Sequence, residues 1–283
     1  MLKIAIQKSG RLHDGSIDLL KNCGLKISNG RNQLMTPVQN FDAQLLYLRD
    51  DDIPQYVQDG VADIGIIGEN VLLEKQSRVD LVKKLGFSKC RVSLAIPKND
   101  SYTDVRFLHG KKIATSYPNI LGAFLKKHRV KSEIHNISGS VEIAPGIGLA
   151  DAIMDIVSTG STLLSNGLKE VETVLESEAI LVASQDLEKE RKNLLDQLLF
   201  RIESVLKARD YKYILLNAPN DNIQEIVQIL PGMKSPTVLP LAESGWSSIH
   251  SVVSESHFWE IIDQLKDLGA EGLLIVPIEK MVL

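Results

Sequence analysis

Cysteine is scarce: Cys23 and Cys90 are the only two in 283 residues. They stand far apart, which excludes a disulfide framework and a cysteine metal cage and suits a reducing compartment. The six histidines form no i,i+4 pair of the kind that clamps a metal. No apolar run approaches the length needed to span a bilayer, and Met1-Leu-Lys-Ile-Ala-Ile-Gln-Lys8 lacks the hydrophobic stretch of an export signal, so a cytoplasmic chain without membrane partners is expected. Excess positive charge is missing too. A net charge of −4 argues against a broad nucleic-acid-binding surface, so any phosphate chemistry must rest on a few placed Lys and Arg residues.

The chain does have enough apolar residues, 44%, to bury more than one core, and two or three compact domains are expected. In the first half, short β-like runs alternate with amphipathic segments: Leu2–Gln7, Ile17–Cys23, Ala43–Leu48, Ile53–Asp59 and Asp63–Ile67. That rhythm predicts α/β layers with parallel strands. A polar stretch, Lys98–Asp104, follows Ile96-Pro97 and marks an expected crossing into a second α/β run through Lys112–Thr115, Ile120–Lys127, Glu133–Asn136 and Asp151–Val157. Ala179–Ala183 reads as a returning strand, and Asp186–Arg209 as a long amphipathic helix expected to pack on the first lobe. The tail then reads strand, helix, strand, strand, helix, strand: Tyr211–Asn217, Asp221–Leu230, Thr237–Leu241, Ser247–Val253, Ser256–Leu268 and Glu271–Ile278. This is the ferredoxin-like βαββαβ order.

The most informative segment is Asp151-Ala-Ile-Met-Asp-Ile-Val-Ser-Thr-Gly-Ser-Thr-Leu163. An apolar strand breaks into a hydroxyl-rich turn around Gly160 and runs into a short helix. Backbone N–H groups at such a turn converge on an anion, and Ser158, Thr159, Ser161 and Thr162 add donors without adding charge. An ordinary strand-to-helix turn with Ser and Thr as caps has the same composition. Other candidates stand at strand ends, where ligands collect in open α/β sheets. Lys8 and Arg11 flank Gly10 after the first strand, either as a solvated basic loop or as anion donors. Arg49 follows Ala43–Leu48 and precedes three aspartates, placed for a surface ion pair or for a bidentate phosphate contact. Asp63-Ile-Gly-Ile-Ile-Gly-Glu-Asn70 is a buried strand turning at Gly68 into a helix started by Glu69 and Asn70, either a plain junction or a binding loop. Tyr117, in Ala114-Thr-Ser-Tyr-Pro118, is a core aromatic or a stacking surface for a base. Glu142 could orient a ribose hydroxyl or a hydrated Mg²⁺.

In this order, Gln7-Lys-Ser-Gly-Arg-Leu12, Arg49-Asp-Asp-Asp-Ile-Pro54, Gly65–Asn70, Ala114–Pro118, Gly139-Ser-Val-Glu142, Asp155–Leu163, Leu239-Pro-Leu241 and Pro277-Ile-Glu-Lys-Met281 resemble, from end to end, the long, histidine-regulated form of the ATP phosphoribosyltransferase family. The resemblance implies two lobes with a periplasmic-binding-protein-like fold (residues 1–95 with 180–209, and 96–179) and a histidine-binding regulatory domain (210–283). It implies that ATP and phosphoribosyl pyrophosphate (PRPP) are joined with Mg²⁺ as cofactor and histidine as inhibitor, in a homo-oligomer that goes from dimer to hexamer. By resemblance, Asp155, Ser158, Thr159, Gly160, Ser161 and Thr162 would hold PRPP, and Arg11, Arg49, Glu69 and Tyr117 would hold ATP. Lys8, Arg11, Arg49 and Glu142 would act in catalysis, and Asn217, Ser235 and Thr237, polar positions at strand ends, would bind histidine. Asp151 and Asp155 are separated where other phosphoribosyltransferases carry adjacent acids. A competing reading, a two-lobed solute or amino-acid sensor, does not require the hydroxyl loop together with cationic strand ends.

Overall fold

The computed structural model describes residues 1–28, 34–230 and 232–282. The chain divides into two compact units, one made of Met1–Lys21 with Leu25–Leu195, the other of Asn22–Gly24 with the chain from Asp196 onward.

The first unit holds two sheets. Its chain runs β1 (Leu2–Gln7), α1 (Arg11–Asn22), β2 (Met35–Pro37), β3 (Ala43–Leu48), α2 (Ile53–Gln58), β4 (Ile64–Gly68), α3 (Glu69–Lys75) and β5 (Asp80–Lys84). It continues through β6 (Cys90–Pro97), β7 (Lys112–Thr115), α4 (Pro118–His128), β8 (Glu133–Asn136), β9 (Ala152–Val157), α5 (Ser161–Ser165), β10 (Leu168–Ser177) and β11 (Ala179–Ala183). The sheet orders are β2-β3-β1-β4-β11-β5 and β10-β6-β9-β7-β8. Parallel pairing holds where helices connect the strands: β1 lies parallel to β3 and β4, with Ile4 opposite Leu45 and Ile64, and β7 lies parallel to β8 and β9. Both sheets are nevertheless mixed, which corrects the expectation of parallel layers. Strands β11, β10 and β6 join by short crossings without a helical return, and a chain that passes between sheets this way pairs antiparallel.

The crossing itself lies upstream of the polar stretch 98–104. Strand β6 already belongs to the second sheet, so the chain leaves the first sheet between Lys84 and Cys90 and returns at Glu178. The two crossing segments are stitched together. Leu85 N–H donates to Ala179 C=O at 2.9 Å, Ala179 N–H donates to Phe87 C=O at 2.9 Å, and Gly86 N–H donates to a Glu178 carboxylate oxygen at 2.8 Å. Buried strands fill the middle of each lobe: Ile64, Ile66 and Ile67 of β4 and every residue of β11 in the first, Val92, Leu94 and Ile96 of β6 in the second. Arg191 donates to Asp63 at 2.8 Å, and Asp63 also accepts from Lys3 N–H at 2.7 Å, which ties the chain after β11 back to the first sheet.

Helix α6 (Lys189–Arg209) starts three residues later than expected, and the division between the units falls inside it: the part from Asp196 groups with the tail and with Asn22–Gly24 at the end of α1, where Arg201 donates to Cys23 C=O at 3.5 Å. In the second unit, β12 (Tyr211–Pro219), α7 (Ile223–Ile229), β13 (Thr237–Pro240), β14 (Trp246–Ser254), α8 (Glu255–Asp267) and β15 (Glu271–Pro277) form one antiparallel sheet in the order β13-β14-β12-β15. That is the ferredoxin-like arrangement. Ile214, Leu216 and Ala218 alternate into a core with Ile226, Phe258, Ile261 and Leu265 of the two helices, leaving Tyr213, Leu215 and Asn217 on the other face.

Candidate active site

The hydroxyl-rich loop forms one wall of a cavity of about 340 Å³. Strand β9 ends at Val157, Gly160 turns the chain at φ 81°, and α5 begins at Ser161. The left-handed backbone at Gly160 is one that other residues adopt only with strain. First-turn N–H groups of a helix have no acceptor within it, and that of Ser161 donates to Thr159 Oγ1 at 3.5 Å. Thr159 and Ser161 hydroxyls lie 3.0 Å apart, and Ser158, Thr159, Gly160, Ser161 and Thr162 all line the space. Arg11, at the start of α1 in the other lobe, completes the wall and donates from Nη1 to the Ser158 hydroxyl at 2.6 Å. Behind the loop, Arg91 of β6 donates to Ser158 C=O at 3.2 Å and holds Glu170 bidentately.

Two carboxylates, Asp155 and Glu142, line the same cavity. Burial pushes the Asp155 carboxyl up to about 6; the negative charge of Glu142 adds to this, and the Ile156 N–H donated to Asp155 Oδ1 at 2.8 Å opposes it. Across the first lobe, Asp50 opens the short 3-10 turn after Arg49. Burial, with Asp51 beside it, raises its carboxyl to about 7, and its Oδ1 is buried with no donor among the described residues. Tyr117 lies within electrostatic reach of these acids and outside the cavity lining. Burial raises its phenol, and Asp155, Asp51 and Asp50 all act on it in the same direction, while Asn70 donates to its hydroxyl at 3.3 Å.

The sequence candidates therefore separate into groups. Arg11, Glu142, Asp155 and the five loop residues share one cavity. Lys8 and Arg49 are exposed and sit side by side just past the ends of the paired strands β1 and β3, where Gln7 lies opposite Leu48, but neither lines the cavity. Glu69 is held by Lys84 at 2.8 Å at the start of α3 and also lies outside it. In the second unit, Ser235 and Thr237 line another cavity, of about 530 Å³, with Tyr213, Lys234 and His250. Asn217 is not at a strand end. It lies inside β12, opposite Ser248 and Glu271, and outside that cavity's lining. Sequence reasoning missed Tyr213 and His250, whose side chains hydrogen-bond at 2.6 Å; the period-2 alternation with buried Ile214 and Ile249 was the available signal.

Residues 49–204 match the family model of HisG, ATP phosphoribosyltransferase, and residues 208–280 match that of the HisG C-terminal domain. The ATP phosphoribosyltransferase of Cytophaga hutchinsonii is 59% identical over 282 residues, covering 100% of this chain and 99% of that one. That of Bacteroides fragilis is 56% identical over 283 residues, covering 100% of each. Among solved structures, a chain of the ATP phosphoribosyl transferase (HisG:HisZ) complex from Thermotoga maritima is similar with a TM-score of 0.63 and 30% identity over 73% of this chain and 98% of its own. A periplasmic sulfonate-binding protein from Methylobacillus flagellatus is similar at a TM-score of 0.50 and 17% identity, over 80% of this chain and 72% of its own, a likeness of fold alone. Two mixed sheets joined by a double crossing define a two-lobed α/β protein of periplasmic-binding-protein type, here followed by a ferredoxin-like unit. The chain belongs to the ATP phosphoribosyltransferase family, in the long form that carries the C-terminal domain.

Proposed function

We infer that this chain catalyses the first step of histidine biosynthesis, a glycosyl transfer in which N1 of the ATP adenine replaces pyrophosphate at C1 of PRPP, and that the Ser158–Thr162 cavity is where PRPP binds. The observation that carries the site is the convergence of loop hydroxyls, the α5 N-terminus, Arg11 and two carboxylates on one cavity that draws on both lobes. The 5′-phosphate fits the loop, which supplies neutral donors and oriented N–H groups. Asp155 and Glu142 face the ribose, where they hold its hydroxyls and oppose the positive charge that builds on the ring as the C1–O bond breaks and its electron pair leaves with pyrophosphate. Arg11, Lys8 and Arg49 take the charge of the leaving group and of the triphosphate, and Tyr117 sets the adenine so that N1 stands behind C1.

Two carboxylates on one wall suit a hard cation held mostly by substrate oxygens and water; no cluster of three or more His, Cys, Asp or Glu placed for a metal occurs among the described residues. Mg²⁺ bound with PRPP would neutralise the pyrophosphate. The tail cavity, with Ser235 and Thr237 on its wall, is the proposed place for histidine, and Asn217, on the same sheet face, lies farther along the strand. We place the chain in the cytoplasm as a homo-oligomer, dimer to hexamer. No helix among the described residues is long and apolar enough to cross a membrane. Mass and NMR analysis of the nucleotide product tests the reaction. The expected product is ATP carrying one phosphoribosyl group on adenine N1; a ribosyl group elsewhere, or hydrolysed PRPP alone, would overturn it.

A further inference from the structure

Helix α3 of the first lobe takes hold of the second lobe with two side chains. Asn70 and Glu74 are four residues apart, hence on one helix face, and they are only 3% and 7% exposed. Both oxygens of the Glu74 carboxylate are spent across the lobes: Oε1 accepts the backbone N–H of Asn119 at 2.9 Å and Oε2 that of Ile120 at 3.0 Å. The Asn119 side-chain amide donates back to the Glu74 C=O at 2.9 Å. These N–H groups belong to the first turn of α4, which has no acidic residue of its own and no side-chain cap from Tyr117. A helix start without an anion favours one brought from outside. Glu74 is that anion, and it comes from the opposite lobe.

Asn70 extends the same grip toward the cleft. Its side-chain N–H donates to the Tyr117 hydroxyl at 3.3 Å, and its Oδ1 accepts from Ser177 Oγ at 2.9 Å. The Ser177 oxygen in turn accepts the Asn70 backbone N–H at 3.1 Å. Ser177 ends β10, one residue before the return crossing at Glu178. The Asn70 carboxamide lies so close over Gly68 that a Cβ there would collide with it, which gives the glycine before α3 a packing role. The contacts of this one helix face thus reach the start of α4, Tyr117 and a crossing strand.

We propose that Asn70 and Glu74 are an interlobe latch, and that Glu74 is a positioning residue that fixes the α4 start and so aims Tyr117 at the nucleotide. The proposal rests on the reading of Tyr117 as the adenine surface. A contact that served stability alone would lower the melting temperature and leave both substrates equally affected. A latch acting through Tyr117 separates them.

The test uses the full chain with Glu74→Gln, which keeps shape, removes the charge and turns an N–H toward one of the α4 amides. Hydrogen exchange without substrate is expected to speed up about tenfold at the Asn119 and Ile120 amides, the worth of one charge-assisted hydrogen bond. The KM for ATP is expected to rise about tenfold on the same basis, with the KM for PRPP and kcat each within about twofold. Glu74→Asp, which keeps the charge on a shorter stem and is the gentler change for folding, should show the same ATP-selective rise in smaller degree. Unchanged exchange at the two amides in either variant would overturn the latch. Faster exchange with equal rises in both KM values, or with no rise for ATP, would overturn the positioning role. A wild-type chain that made no product would count against the functional reading instead, since the exchange is read without turnover.

Discussion

Single residues carry opposite demands in this cleft. Arg49 is exposed past the end of β3 beside Lys8, and its planar fork suits a phosphate in a way that the point charge of lysine does not. Arg49→Lys is therefore expected to lower kcat/KM by about 1–3 kcal/mol in transition-state stabilisation. Steady-state kinetics at fixed Mg²⁺ check this, and a change within error would make Arg49 a surface residue only. Asp155 shows the opposing demand. Burial holds its carboxyl at about 6 against an ordinary 3.8, so the folded chain binds this proton more tightly than the unfolded one. The group thus contributes stability below about pH 4, and the contribution is lost as pH rises through about 6; above that, the buried charge costs on the order of 2–3 kcal/mol. Asp155→Asn should melt at a higher temperature than the parent at pH 8, flatten the pH dependence of melting between 4 and 6, and lose most of its activity. Melting curves across pH would contradict this account if the variant were the less stable protein at pH 8.

Among elements, the loop between β9 and α5 shows what was legible. Ser-Thr-Gly-Ser-Thr is a local pattern, and a turn around Gly160 followed by a helix follows from the backbone needs of those residues. Gly160 has φ 81° with only Val157 near the place of a Cβ, so Gly160→Val meets strain more than collision. We expect it to lower melting by a few degrees, from the roughly 1–2 kcal/mol of left-handed strain, and to abolish PRPP binding in calorimetry. Retained PRPP affinity would remove the loop from the site. The Arg11 contact with Ser158 was not legible, because it joins positions 147 apart. Strand β10, Leu-Lys-Glu-Val-Glu-Thr-Val-Leu-Glu-Ser, was invisible because two register shifts break its alternation. Glu74 escaped notice because its partners are backbone N–H groups, which leave no mark in sequence. The apolar alternation fades at Asn217 and so marks a strand end there, whereas β12 runs on to Pro219.

At the scale of the whole molecule, the layering was written in the hydrophobic rhythm: the order of strands and helices in the tail alone specifies its antiparallel sheet. The double crossing was not, since residues 85–89 and 178 carry no distinctive composition, and the polar stretch 98–104 merely follows a strand already in the second lobe. One unit thus holds the cavity assigned to PRPP and the other the cavity assigned to histidine. The proposed inhibition by histidine would require a coupling free energy between them, which by linkage acts equally on substrate affinity and on inhibitor affinity. Pyrophosphate release by the full chain with ATP, PRPP and Mg²⁺, followed across a histidine titration, tests this most directly. The account predicts release that needs both substrates and declines as histidine saturates; release from PRPP without ATP, or a rate indifferent to histidine, would contradict it.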